Sequence, residues 1–144
     1  MMTETTEMMK NNAQHISVMS SEIQDYLNLQ PGDICVDCTI GLGGHARMSA
    51  DKVGEQGRII GIDRDGQALT LARQNLAPVS KQCVFIHDDY RNLDQILSDL
   101  QISKVNAVLM DLGVSSMQLD DPQRGFSLRE DGPLDMRMDQ ENFI

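Results

Sequence analysis

The sequence contains no apolar run of the length that crosses a membrane, which is about 20 residues for a helix. Its first fourteen residues, MMTETTEMMKNNAQ, have neither the apolar core of a signal peptide nor the arginine-rich amphipathic face of a transit peptide. We therefore expect residues 1–14 to form a disordered tail. We also expect a cytoplasmic location without membrane attachment.

Basic residues are scarce. The chain has 12 Lys and Arg residues against 22 Asp and Glu residues, which gives a formal net charge of −10. A net charge of this sign disfavours loose adsorption to a polyphosphate backbone. Any contact between this chain and a nucleic acid should therefore be local.

Cysteine is also rare, and its three positions, Cys35, Cys38 and Cys83, lie in apolar segments with strand character. An odd number of cysteines suits a reducing compartment. Cys35 and Cys38 form a C-x-x-C pair, but residues three apart on a strand face opposite sides of the sheet. No second Cys/His pair follows at ligand spacing. We therefore expect buried cysteines and no metal site.

The pattern that is present alternates strands with helices. Short apolar runs predict four strands, and stretches with helical spacing of apolar residues lie between them. With right-handed crossovers, this alternation predicts an α/β fold with a doubly wound parallel sheet in the strand order 3-2-1-4. The predicted strands are Ile34–Cys38, Arg58–Asp63, Cys83–His87 and Val105–Asp111, and the predicted helices run from His45 to Val53, from the cap Asp65 to Pro78 and from Leu93 to Leu100.

The two ends of this alternating region carry different signals. Ser21 to Gln24 has the S-x-x-Q form of a capping box and predicts a short helix before the first strand, ended by Pro31 and Gly32. After Asp111 no periodic apolar stretch is long enough to predict a helix or strand. The Gly, Pro, Asp and Ser content of that region predicts an ordered, functional loop.

The turn after the first strand, within ICVDCTIGLGGH, has the composition of a ligand cradle. Gly41, Gly43 and Gly44 remove three side chains where the strand gives way to a helix. Backbone N–H groups can approach a bound molecule there, and the positive end of the following helix points at the same place. Asp37, at the end of the strand, can help these N–H groups to hold the same ligand.

Asp63 closes the second strand about twenty residues further on, where a carboxylate can accept hydrogen bonds from ribose hydroxyls. An adenosine-type cofactor is therefore expected. A dinucleotide requires G-x-G-x-x-G, and this turn has no third glycine at that offset, so an NAD-dependent oxidoreductase is a distant alternative. S-adenosylmethionine carries no phosphate, and the spacing D-x-x-x-G-x-G resembles the glycine motif of class I methyltransferases.

The segment DLGVSSMQLDDPQRGFSLREDGPLDMRMD, together with His15 to Glu22 and DCTIGLGGH, resembles the MraW-type (RsmH) methyltransferase family. Members of that family methylate the exocyclic N4 of a cytidine in small-subunit (16S) ribosomal RNA. The resemblance implies a Rossmann-like, class I S-adenosylmethionine-dependent methyltransferase core over residues 15–139. The ribosomal RNA, or the assembled small subunit, would be its partner.

Carried over position by position, the resemblance implies a set of cofactor contacts, one of which, Asp111, is also the catalytic candidate. The implied contacts are Gly43, Gly44, His45, Asp63, Tyr90, Asp111 and Gln118. An exocyclic amine shares its lone pair with the ring, so it needs acceptors that hold and pyramidalise it. We expect Asp111 to orient that amine or the cofactor.

The sequence departs from the family in several places. Ser17 stands where the usual H-x-P-V has proline, Cys38 replaces a glycine, Tyr90 replaces Phe, and Met117 replaces a common proline. Family members are also about twice as long, so we interpret residues 140–144 as a truncated end of a fold that is incomplete at the C-terminus. A truncated chain that binds the cofactor without turnover is the alternative.

Two questions about partners stay open at this stage. An unpaired edge on the fourth strand could be covered by a second copy of the chain, as a homodimer. Arg124, Arg129 and Arg137 could reach RNA phosphates, but acidic residues surround them. An internally paired loop is an equal alternative.

Overall fold

The computed structural model describes residues 19–142 and confirms a four-stranded parallel sheet in the order β3-β2-β1-β4. The strands are β1 (Ile34–Asp37), β2 (Arg58–Asp63), β3 (Cys83–His87) and β4 (Ala107–Leu109). The helices are α1 (Ser20–Leu27), α2 (Gly44–Val53), α3 (Gly66–Asn75), α4 (Leu93–Asp99) and α5 (Ser116–Asp120), and short 3₁₀ helices span Ala77–Gln82, Tyr90–Asn92 and Pro122–Arg124. The predicted tail over residues 1–14, His15 and Ser17 lie outside the described residues, as do residues 143–144 of the predicted truncated end.

Registers within the sheet place the ends of β1 and β2 side by side. Asp37 is the Cα partner of Gly61 on β2 and of Leu109 on β4. β4 is shorter than the predicted Val105–Asp111, although pairing continues beyond it at both ends. The Asn106 N–H donates to the Ile34 carbonyl at 2.8 Å, and the Cys38 N–H donates to the Leu109 carbonyl at 2.9 Å.

The core lies on both faces of the sheet, as the nearly continuous apolar runs predict. One face packs against α2 and α3 through Cys35, Ile59, Ala46, Ala50, Val53, Leu69, Ala72 and Leu76. The other face packs against α4 through Val36, Cys38, Ile60, Ile62 and Ile96. The opposite placement predicted for Cys35 and Cys38 is confirmed, because the two thiols lie in different layers of the core.

The capping box predicted at Ser21 is wrong, although the helix itself is confirmed. Helix α1 begins after Met19, which adopts a left-handed conformation and makes no side-chain cap. Gln24 is drawn into the interface with α2, where its Nε2 donates to Ser49 Oγ at 3.1 Å. A buried tertiary partner therefore competes successfully with the local cap.

The second half of the chain contains a helix that the sequence pattern did not predict. Helix α5 begins at a complete capping box, in which Ser115 Oγ accepts the Gln118 N–H and Gln118 Oε1 accepts the Ser115 N–H. The expectation of an irregular loop from Asp111 onward is thus wrong for these residues. Within residues 19–142, every helix is too short or too polar to span a lipid bilayer.

Candidate functional site

The glycine turn between β1 and α2 depends on backbone conformations that favour glycine. Gly41 has φ 53° and Gly43 has φ 89°, both in the left-handed region. The Gly43 N–H donates to the Ile40 carbonyl at 2.8 Å, which closes the turn. A Cβ on Gly43 would lie 2.8 Å from Leu76 Cδ1, so the turn also packs tightly against the end of α3.

The turn is seated on β2 by two contacts. The Ile40 N–H donates to the Ile62 carbonyl at 3.1 Å. Gly61 leaves room for the Ile40 side chain, since a Cβ at Gly61 would clash with Ile40 Cδ1. The glycine at this strand position therefore brings the turn close to the end of β2.

Asp63 joins the turn to the start of α3. Its Oδ2 accepts the Gly41 N–H at 2.9 Å, and its Oδ1 accepts the Asp65 N–H at 2.9 Å. Burial raises the pKa of Asp63, while these backbone donors oppose the shift. Each carboxylate oxygen keeps a second lone pair for a ligand hydroxyl.

An open cavity of about 530 Å³ lies over the carboxyl ends of the strands. This is the position at which ligands bind to doubly wound sheets, and the volume falls in the usual range for small-molecule sites. Its lining contains Gly44, His45, Asp63, Tyr90, Asp111 and Gln118, together with Cys38–Leu42, Arg64, Ala68, Leu112–Ser116 and Met138. Six of the seven predicted contact residues therefore surround one cavity, and Gly43 lies behind it against Leu76.

Asp37 also lies outside the cavity lining and is almost fully buried beneath it. Its Oδ1 accepts the Thr39 N–H at 3.2 Å. Burial raises the pKa of Asp37 to about 7, against the effect of that hydrogen bond, and the carboxylates of Asp63 and Asp111 add to the rise. The carboxyl groups of Asp37, Asp63 and Asp111 thus form a cluster whose members interact electrostatically beside the cavity.

Asp111 and His45 lie at the cavity wall formed by β4 and α2. The Asp111 N–H donates to Thr39 Oγ1 at 2.8 Å, which ties the segment after β4 to the glycine turn, while the residue itself is exposed. Burial lowers the pKa of His45, although Asp111 opposes the shift. His45 Nδ1 is buried and has no hydrogen-bond partner among residues 19–142, so the site retains an unsatisfied polar atom.

Tyr90 enters the cavity from the 3₁₀ helix that follows β3. That helix is capped by Asp89, whose Oδ1 accepts the Arg91 N–H at 2.9 Å. Arg64 also lines the cavity, and its Nε is 3.4 Å from Oδ2 of Asp89, the residue before Tyr90. The region next to Asp63 therefore offers an aromatic ring and a guanidinium group.

The sequence reasoning missed a buried polar network behind the cavity. Asp65 caps α3 as predicted, with Oδ1 accepting the Gln67 and Ala68 N–H groups. Its Oδ2 also accepts hydrogen bonds from Gln118 Nε2 at 3.1 Å and Arg124 Nη2 at 2.8 Å. The S-x-x-Q pattern that starts at Ser115 could have indicated helix α5, which brings the predicted residue Gln118 into this network.

The three arginines after Asp111 have different environments. Arg124 is 1% exposed and pairs with Asp65, so for this residue internal pairing is correct and an RNA phosphate contact is excluded. Arg137 Nε lies 2.6 Å from Asp135 Oδ1, and both side chains of this ion pair are partly exposed. Arg129 is exposed. No cluster of three or more His, Cys, Asp or Glu side chains within residues 19–142 could hold a metal ion.

Comparison with known proteins agrees with this geometry. The model of the MraW methylase family matches residues 12–144. A ribosomal RNA small subunit methyltransferase H from Clostridium botulinum (strain Loch Maree / Type A3) is 45% identical over 130 residues, which cover 90% of this chain and 42% of the relative. The chain therefore spans less than half the length of the curated relatives it matches.

Two solved structures with the same fold are described as rRNA methylases. A proposed rRNA methylase from Clostridium thermocellum aligns with a TM-score of 0.60 and 28% identity, over 65% of this chain and 50% of that one. An rRNA methylase from Streptococcus thermophilus aligns with a TM-score of 0.53 and 25% identity, over 64% of this chain and 53% of that one.

Proposed function

Because this chain belongs to the MraW methylase family, we propose that it forms the cofactor-binding part of an S-adenosylmethionine-dependent enzyme that methylates the exocyclic N4 of a cytidine in small-subunit ribosomal RNA. The observation that carries the proposal is the cavity at the strand ends, where Asp63 and the glycine turn are joined directly and Asp111 lies on the opposite wall. The proposal assigns the cofactor-binding core to residues 15–139, the range expected from the sequence.

The residues around the cavity fit S-adenosylmethionine chemically. The cofactor has two hydroxyls for Asp63 and a positive sulfonium, which the cluster of carboxyl groups would stabilise. Nδ1 of His45, which is buried without a hydrogen-bond partner in the described part of the chain, offers a polar contact at the start of α2. Tyr90 would stack on the adenine ring, with Arg64 beside it.

Two of the seven implied contacts have most of their polar groups engaged within the protein. The Gly43 N–H is already bonded to Ile40, so this glycine acts by shaping the turn. The Gln118 amide bonds to both Ser115 and Asp65, so this residue acts as part of the cavity wall. Gly44, His45, Asp63, Tyr90 and Asp111 remain as the direct contacts of the proposal.

When bound, the cofactor supplies an electrophilic methyl group. Asp111 is exposed at the mouth of the cavity, where its carboxylate can accept an N–H of the incoming cytosine amine. That hydrogen bond directs the nitrogen lone pair out of the ring plane, and the carboxylate can take the proton that the amine loses. A strong base is unnecessary, since the nitrogen carries a positive charge once the methyl group is attached, and its proton is then acidic.

We propose that the substrate is ribosomal RNA or the assembled small subunit, and that the enzyme acts in the cytoplasm. The net charge of −10 argues that this part of the protein meets RNA at one local position, the target base. The test is methyl transfer from labelled S-adenosylmethionine to both substrates. We expect Asp111→Asn to lower turnover more than threefold, with the exposed Asp120→Asn as the matched control. Equal turnover of Asp111→Asn and wild type would disprove the role of Asp111.

A second candidate function is cofactor binding without turnover by this chain. It is favoured by the edge formed by β4, along which Val108 and Met110 are 42% and 46% exposed. Among residues 19–142 no strand pairs with the outer edge of β4, and apolar side chains there favour a covering element, which a second copy could provide in a homodimer. Cofactor binding by calorimetry without methyl transfer would select this candidate, and sedimentation would establish whether two chains associate. Binding of NAD in place of S-adenosylmethionine would exclude both candidates.

A further inference from the structure

The Asp65–Arg124 ion pair lies between the sheet and the segment that forms the outer wall of the cavity. Both residues are nearly inaccessible, with Asp65 2% and Arg124 1% exposed. They are 59 positions apart in sequence, and Asp65 Oδ2 and Arg124 Nη2 are 2.8 Å apart. The pair therefore ties the chain after β4 to the start of α3.

Arg124 also holds the far end of the same wall. Its Nη2 donates to the Met138 carbonyl at 2.9 Å, and its carbonyl accepts the Met136 N–H at 3.2 Å. Met138 is part of the cavity lining. One guanidinium group thus connects Asp65 to the segment that brings Met138 into the cavity.

The near end of the wall is held by the same carboxylate. Gln118 donates to Asp65 Oδ2 at 3.1 Å and, through the capping box with Ser115, fixes the first turn of α5. Ser115 and Gln118 both line the cavity. On the other side, the Asp65 N–H donates to Asp63 at 2.9 Å. Asp65 is therefore one residue through which the two walls of the cavity are connected.

Stability alone does not account for a buried ion pair of this kind. Desolvation of two charges offsets most of their attraction, and apolar side chains of similar volume often serve equally well. Arg124 Nε is buried without a hydrogen-bond partner among residues 19–142, which adds a further cost. A buried pair with such costs is better explained by the geometry that it imposes than by a gain in stability.

We propose that Asp65 and Arg124 are positioning residues, which fix the wall formed by residues 113–120 and Met138 at the distance from Asp63 that the cofactor requires. This inference rests on the proposed function, because it assigns the pair a role in binding S-adenosylmethionine. It goes beyond that function by naming a pair that need not touch the cofactor.

The test uses the double variant Asp65→Asn with Arg124→Met. Asn retains a side-chain oxygen for the α3 cap, and Met fills much of the volume of Arg, so neither unpaired charge nor a missing cap remains. The matched control is Asp94→Asn with Arg129→Met, which makes the same charge changes at two exposed positions. If the double variant does not fold, the single variant Arg124→Lys, which keeps the positive charge, takes its place in both measurements.

Two measurements below the melting temperature separate positioning from stability. We expect the Kd of S-adenosylmethionine to rise at least tenfold in the double variant and to be unchanged in the control. We expect hydrogen exchange without cofactor to accelerate at least tenfold at amides 113–120, with the amides of β1 and β2 unchanged. Arg124→Lys should lie between wild type and the double variant in both measurements.

Each other result has a definite meaning. An unchanged Kd, with or without faster exchange, would overturn the proposal, since a purely structural pair would alter the melting temperature and leave affinity in the folded chain intact. If wild type itself fails to bind S-adenosylmethionine, the proposed function fails. In that case hydrogen exchange without cofactor still tests whether the Asp65–Arg124 pair holds the wall in place. Exchange at amides 113–120 that is unchanged in the double variant would show that it does not.

Discussion

The Asp63 carboxylate and the Gly41 N–H are 2.9 Å apart, although 22 positions separate them in the sequence. This hydrogen bond brings the end of β2 and the glycine turn after β1 into a single unit. A ligand that reaches Asp63 with its hydroxyls must therefore also lie against the turn. The turn, the carboxylate and the cavity form one site because parallel strands β1 and β2 end side by side.

Gly43→Ala should destabilise the chain more than Gly32→Ala. Both glycines have nearly the same φ, 89° and 91°, in the left-handed region that disfavours a side chain. A Cβ at Gly43 also meets Leu76 at 2.8 Å, whereas a Cβ at Gly32 has no neighbour within 4 Å in the described part of the chain. We expect Gly43→Ala to cost about 1–3 kcal/mol more in urea unfolding. Equal losses would show that the packing against Leu76 is not tight.

The free energy of unfolding should fall as pH rises from 4 to 7 because of Asp37. Burial raises its pKa from the ordinary 3.8 to about 7, so between these values the folded chain binds a proton that the unfolded chain has released. The cost is complete above the folded pKa and is about 4 kcal/mol.

Asp37→Asn isolates this contribution, because Asn retains an oxygen for the Thr39 N–H. The variant should be more stable than wild type at pH 8, and the difference should shrink as the pH is lowered through 7 toward 4. Urea unfolding at pH 5 and pH 8 measures it. A stability difference that is independent of pH would contradict the assignment.

The thiols of Cys35 and Cys38 should resist alkylation in the folded chain. Burial raises the pKa of Cys35 to about 12 and that of Cys38 to about 11, with Asp37 adding to both shifts, so little thiolate exists at pH 8. Mass spectrometry after iodoacetamide treatment should find these residues unmodified until denaturant is added. Rapid labelling of Cys38 in the folded chain would instead indicate that its thiol is accessible from the cavity, which this residue lines.

The fold was predictable because each strand is a short apolar run with a polar residue at its end. The predicted bounds of Arg58–Asp63 and Cys83–His87 match the observed ones, since each is a nearly continuous apolar run that ends at a polar residue. The position of Asp63 beside the turn follows from the same topology.

The polar interior was not predictable in the same way. A local S-x-x-Q pattern starts at Ser21 and again at Ser115, and only tertiary contacts decide that Gln24 leaves its cap for Ser49 while Gln118 keeps its own. Arg124 stands among acidic residues in a segment without periodicity, so nothing in the local sequence shows that Asp65, 59 positions away, is its partner. Short helices such as α5 depend on such contacts more than on propensity.

Calorimetric titration with S-adenosylmethionine tests the central claim most directly, with Asp63→Asn beside the exposed control Asp51→Asn. The Asn amide would face a backbone N–H that Asp63 now accepts, and it would lose one acceptor for the ligand hydroxyls. We predict one cofactor per wild-type chain, the same affinity in Asp51→Asn, and at least tenfold weaker binding in Asp63→Asn, which is about 1.4 kcal/mol or more. Absence of binding by wild type, or equal affinity in all three proteins, would contradict the account.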